Sequence, residues 1–168
     1  RWTKTSITAY VFDNTAWGNV STGAALSGAA LSLDRGHMRR QTDVSGNKTL
    51  DLTPRILMVP LALEDLARSI NTDTYEQGTA NTQLKNNQQK GMFSDIITKP
   101  VAPVLSGTKR YLFTEDKGAI LCVFGPGGNG PNLSSQDGFR RDGVEYKVRI
   151  DFKINAGDPK KALHNVGQ

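Results

Sequence analysis

Residues 138–167 read GFRRDGVEYKVRIDFKINAGDPKKALHNVG. After Asp142-Gly143, the apolar Val144, Tyr146, Val148, Ile150, Phe152 and Ile154 alternate with Glu145, Lys147, Arg149, Asp151 and Lys153. Successive side chains of a strand point to opposite faces, so the pattern predicts one long strand with a buried side and a wet side. Asp-Gly tolerates the positive φ of a tight turn, which predicts a hairpin at Asp142-Gly143. The segment holds no reactive group; it is built to pack and to present charge.

The rest of the chain agrees with a polar, loop-rich domain. Its 168 residues suit one domain, and a chain of that size buries roughly 70% of its extended surface. Only 37% of the residues are hydrophobic, which implies long polar loops around a modest core. The one cysteine, Cys122, rules out an internal disulfide framework, and its run AILCVF predicts a buried, inert thiol. The net charge of +5 is dispersed, apart from Arg35, Arg39 and Arg40 with His37 between them. No run approaches the ~20 apolar residues of a membrane span, and no signal peptide is visible. The start Arg1-Trp2-Thr3-Lys4 lacks a Met and reads as internal to a longer polypeptide.

Along the chain, the alternation at Ile7, Ala9 and Val11 fits a short strand, and 12–20 reads as a loop around Trp17. Ser21-Thr22 offers a cap for a helix over 23–40, with Leu26, Ala29, Ala30, Leu33 and His37 as its apolar stripe. Its last turns carry the three arginines, where cations meet the carbonyl end of the dipole. RILMV (55–59), between Pro54 and Pro60, reads as a buried central strand. A helix follows, with Leu63, Leu66, Ala67 and Ile70 as its stripe and a Glu64–Arg68 pair one turn apart. Twelve of the twenty residues from Asn71 to Lys90 are Asn, Gln or Thr, which predicts a long, mobile, exposed loop. Further strands are expected at Ile96-Ile97 and at RYLFT (110–114); 119–124 reads as a third strand or a short helix running into one, and GPGGNGP (125–131) as a connection. The residues after Asp158 read as a polar tail.

Familiar catalytic patterns are missing from the sequence. Gly125–Gly130 is followed by Pro-Asn-Leu, not by the Lys-Ser/Thr of a phosphate loop, and its flanking prolines break a dinucleotide fingerprint. Two histidines, His37 and His164, and one cysteine are too few for an ordinary zinc site. There is no Gly-x-Ser-x-Gly turn. Accordingly no catalytic, cofactor-binding or metal-binding residue is expected. Tyr10, Trp17, Tyr75, Tyr111 and Tyr146 are scattered, mostly in core-like contexts, and give no stacking platform for nucleic acid.

Two segments carry a family resemblance. Met38-Arg39-Arg40-Gln41, Leu50 to Pro60 and Leu63-Glu64 form the first, and Asp142 to Phe152 closes the second. In the same order, these resemble the major head proteins of Mu-like and related tailed phages and prophages. The resemblance covers about two thirds of the chain. It departs at Asp158-Pro159-Lys160-Lys161, where relatives often have an aromatic after the Asp. It implies an α+β chain of the Hong Kong 97-type capsid fold, mainly the axial domain: a central mixed sheet flanked by helices, with a long C-terminal strand. Residues 1–168 would form that single domain, with an opening segment over 1–22, a polar loop over 71–91 and a hairpin, strand and tail over 138–168. The amino-terminal arm, the extended loop and much of the long helix of such proteins find no counterpart in the sequence.

The function the resemblance implies is a virion shell subunit, assembled in the bacterial cytoplasm from pentamers and hexamers of itself. Its expected partners are other copies of the chain, packaged double-stranded DNA, and a scaffold or a prohead protease. Arg35, Arg39 and Arg40 are the candidate cluster facing DNA or a neighbouring subunit. Two other readings compete: a basic nucleic-acid-binding module, and an enzyme using Glu64, Asp65, Glu115 and Asp116. Those acids read more simply as a helix start and a turn.

Overall fold

Leu57 lies in an apolar row that crosses the main sheet. The computed structural model describes residues 9–77, 84–99, 107–116, 118–125, 130–137 and 143–168. The main sheet holds β1 (Val20–Ser21), β2 (Pro54–Pro60), β5 (Asp95–Lys99), β6 (Arg110–Thr114) and β11 (Ala162–Asn165), in the order β1-β11-β6-β2-β5. The end pairs β1–β11 and β2–β5 are parallel and the inner pairs antiparallel, so the sheet is mixed. The described residues also form three two-stranded pairs. They are β3 (Tyr75–Gln77) with β4 (Leu84–Asn86), β7 (Ile120–Phe124) with β10 (Phe152–Ala156), and β8 (Asn132–Asp137) with β9 (Val144–Arg149). The helices are α1 (Asn14–Trp17), α2 (Gly28–Arg39) and α3 (Glu64–Thr72).

Register explains the core. Leu163 pairs with Leu112, Leu112 with Leu57, and Leu57 with Ile96, so four apolar side chains line up on one face. Leu26, Leu31 and Met38, from α2 and its approach, and Ala67 of α3 pack against that row. The opposite face carries Phe113 and Ala162, covered by Val11, Phe12 and Ala119. The predicted central strand is therefore real: Leu57 and Val59 are fully buried and Ile56 nearly so. The strands expected at 96–97, 110–114 and 119–124 are β5, β6 and β7. Glu64 and Arg68 form the expected pair at 2.8 Å.

Several expectations are corrected. Residues 9–11 are helical, not a strand, and the loop over 12–20 contains α1, capped by the Asp13 carboxylate. The helix expected over 23–40 starts at Gly28; Ser27, not Ser21-Thr22, caps it through Ala30 N–H, and Ser21 belongs to β1. Its buried stripe is Ala30, Leu31, Asp34 and Met38, while Leu33 stands 71% exposed. The stripe is rotated because an aspartate occupies a core position. In α3, Leu66 is exposed and Ala67 makes the contact.

The long polar loop is largely structured at its ends. Asn71 exchanges hydrogen bonds with the Phe93 backbone, and Asn87 Nδ2 donates to the Ile70 and Asp73 carbonyls. Amide side chains thus replace apolar contacts at the base of the β3–β4 hairpin; residues 78–83 lie outside the described set. The presumed polar tail is also structural. After a 3₁₀ turn at Pro159–Lys161 it becomes β11, with Ala162, Leu163 and Asn165 buried.

One buried polar network joins these parts. Arg110 is wholly buried; its Nε donates to Asp34 Oδ2 at 2.8 Å, and its Nη2 lies 2.7 Å from the same oxygen. Its Nη1 donates to the Ala24 carbonyl at 2.7 Å, and Asn165 Nδ2 donates to Asp34 Oδ1 at 2.9 Å. Removing one partner strands the other charge in a low-dielectric interior. Asp34→Ala is expected to cost about 3–5 kcal/mol in urea denaturation. Arg39→Ala, which opens an exposed pair with Asp51, should leave the midpoint nearly unchanged.

Candidate functional site: a basic helix end and an exposed strand ribbon

The predicted long strand is two strands. It breaks after Arg149, and β9 and β10 join different partners. Gly125 N–H donates to Asp151 O at the break, where a Cβ on Gly125 would stand 2.9 Å from Asp151 Cβ. The chain leaves the sheet through β7, runs out along β8, and returns through β9 and β10. Its root is tight: Gly157 N–H donates to Ala119 O, and a Cβ on Gly157 would meet Gly118 O at 2.1 Å. The expected turn at Asp142-Gly143 falls partly outside the described residues, although the Asp137–Val144 pairing brackets it.

The period-2 alternation is present, but the side expected to be buried is not covered. Paired residues of an antiparallel ladder share a face. Leu133, Val144, Tyr146 and Val148 therefore stand together on the β8–β9 pair, 68%, 49%, 71% and 66% exposed. On the β7–β10 pair, Phe124 and Phe152 share a face with Ile120, Cys122 and Ile154, all exposed. The reading of Cys122 as buried is thus overturned: β7 stands clear of the core, so an apolar run does not bury its thiol. Tyr146, taken as core-like, is exposed as well, as is Tyr75 at the start of the segment expected to be exposed. An apolar recess lined by Ile56, Ile97, Phe113 and Ile120 lies where the root meets the sheet. Contiguous exposed apolar surface of this kind marks a contact site.

The arginines do not converge. Arg35 is half-buried and Nη1 donates to Gln89 Oε1 at 3.2 Å; burial, then the charges of Arg39 and Arg55, lowers its pKa. Arg39 Nε donates to Asp51 Oδ1 at 2.6 Å, a bond that raises the arginine pKa and lowers that of the carboxyl. Arg40 is exposed at the helix end. Arg55, exposed on β2, shares the field of Arg35 and Arg39. Sequence reading missed it because it lies far along the chain from α2.

Of the acids considered for an enzyme, three have structural roles, and Glu115 lies exposed in the turn after β6. Glu64 pairs with Arg68, and Asp65 shares the first turn of α3. Asp116 accepts from Lys161 Nζ and Thr114 Oγ1, which lowers its pKa, in the turn after β6. Among the described residues, no three His, Cys, Asp or Glu side chains group as metal ligands would. Nor is any described helix long and apolar enough to cross a membrane.

His164 is not a tail residue. It stacks on Tyr111 at 4.4 Å with Phe12 at its edge, and burial, then Lys109, lowers its pKa below 6.5. The unfolded chain consequently takes up the proton first as pH falls. Stability is expected to be full above 6.5, to decline below it, and to level off beneath the folded value. His164→Phe should remove that decline from stability curves measured between about pH 8 and about pH 5.

A chain with a fixed core, structurally engaged acids and an uncovered apolar ribbon is organised to make contacts with other molecules. A family model described as phage capsid protein matches residues 3–165. The chain belongs to that family, whose members are structural proteins of the virion. A comparison with curated proteins gives no match.

Proposed function

We propose that this chain is a shell-forming subunit of a tailed-phage or prophage head, close to the Mu-like group and of the Hong Kong 97-type fold. Residues 1–168 act as a single axial-type domain of a longer polypeptide. Copies meet through heterologous contacts that close into rings of five or six and then into a shell around DNA. The chain performs no catalysis; its task is geometric. Assembly takes place in the host cytoplasm, with a scaffold or prohead protease as partner. The observation carrying this reading is the family match over nearly the whole chain. The mixed sheet flanked by α2 and α3 agrees with it.

Electron microscopy of the full-length product tests the proposal. Regular shells are expected on expression alone or with scaffold and protease. Soluble monomers under both conditions would count against it.

The basic helix end adds a subsidiary role. Of the candidate cluster Arg35, Arg39 and Arg40, the exposed Arg40 leads the contact with phosphate of the packaged DNA or with acids of a neighbouring subunit, without reading sequence. Retention of a duplex probe by the soluble subunit should fall steeply with added salt. Arg40→Ala should weaken it more than Arg39→Ala, because Asp51 already holds Arg39.

A further inference from the structure

We propose that β9 pairs across a two-fold axis with β9 of a second copy of this chain, joining two ribbons into a four-stranded sheet. The idea takes its setting from the capsid reading and specifies a contact which that reading leaves open.

Among the described residues β9 is bonded to β8 alone, so its other edge meets no strand. Exposed edges are usually blunted by charge, by proline, by a bulge or by brevity, and the charges of β9 are of mixed sign. β9 is six residues long, holds no proline, and keeps an unbroken register with β8. Its apolar face, with Val144, Tyr146 and Val148, stands exposed and would run on across the joined edges.

The sequence of β9 is self-complementary. Opposite residues share a face, so apolar must meet apolar and charged must meet charged. Centring the pair on Tyr146 sets Val144 against Val148 of the second copy. It also sets Glu145 against Lys147 of the second copy, and Lys147 against its Glu145. Centring on Lys147 sets that lysine against itself, and its Glu145–Arg149 pairs compete with the Arg149–Asp151 contact; centring on Glu145 sets two glutamates against each other. Within its own chain Glu145 faces Gln136 and Lys147 faces Ser134, so neither charge has an opposite charge across the ladder. Arg149 is already 2.8 Å from Asp151 and would meet Gly143 of the second copy. The contact is isologous, whereas ring contacts are heterologous, and a shell also needs links between its rings.

The test is cysteine cross-linking of the full-length product in a Cys122→Ser background. Tyr146→Cys should give a covalent dimer on mild oxidation. Ser134→Cys should not, because the two β8 strands would lie about 14 Å apart, beyond disulfide reach. Glu145→Lys should abolish the dimer, and Glu145→Lys with Lys147→Glu should restore it. Val144→Cys with Val148→Cys reads the same register if position 146 couples poorly. Absence of dimer at both sets of positions, or a dimer indifferent to charge reversal, overturns the two-fold contact. Microscopy of the same preparations separates the two ideas. Shells without the cross-link leave the head reading standing, and cross-linked dimers that never form shells retain the contact while opposing that reading.

Discussion

The buried pair of Arg110 and Asp34 governs how the other elements meet. Two charges leave water only if their remaining donors and acceptors find partners, since desolvation costs several kcal/mol per ion. Here the guanidinium reaches Asp34 and the Ala24 carbonyl, and the free carboxylate oxygen takes the Asn165 amide. One interaction thereby fixes α2 against β6 and β11, and the approach to α2 against both. Leu112 and Leu163 neighbour this network on the same sheet face, so the apolar row and the polar network set one register together.

The parts that sequence reading recovered are those where a local pattern has a single physical solution. RILMV between prolines is too short for a helix and reads as a buried strand, and Glu64–Arg68 is local by construction. Asp34 defeated the helix stripe because a polar letter at a core position looks like a solvent face until its partner 76 residues away is known. β8, with the sequence NLSSQD, has almost no apolar content and exists only because β9 pairs with it. β11 hid for a similar reason: Leu163 stands among polar neighbours whose partners are distant. Alternation over 144–154 correctly announced two unlike faces; it carried no information on which molecule covers the apolar one.

The site was legible to a different degree. The arginine cluster was visible as composition, yet Gln89 and Asp51 occupy two of its members. Arg55 joined the field only through folding. The more telling surface, the ribbon, was taken for core, because in a sequence a contact between copies and a contact within one copy leave the same trace. Burial in the isolated subunit distinguishes them. Surface that a single chain leaves apolar is coherent with a protein whose role is to meet its neighbours.

β11 sits between β1 and β6, so the interior of the sheet is completed by a strand near the distal end of the sequence. Val20 must find His164, 144 residues further along, and non-local pairings of this sort form slowly. During translation the early helices and β2 therefore emerge without the strand that locks them. A nascent subunit lacks a finished scaffold for its ribbon until β11 leaves the ribosome. Completion of the apolar row thus waits on Leu163, which joins it last.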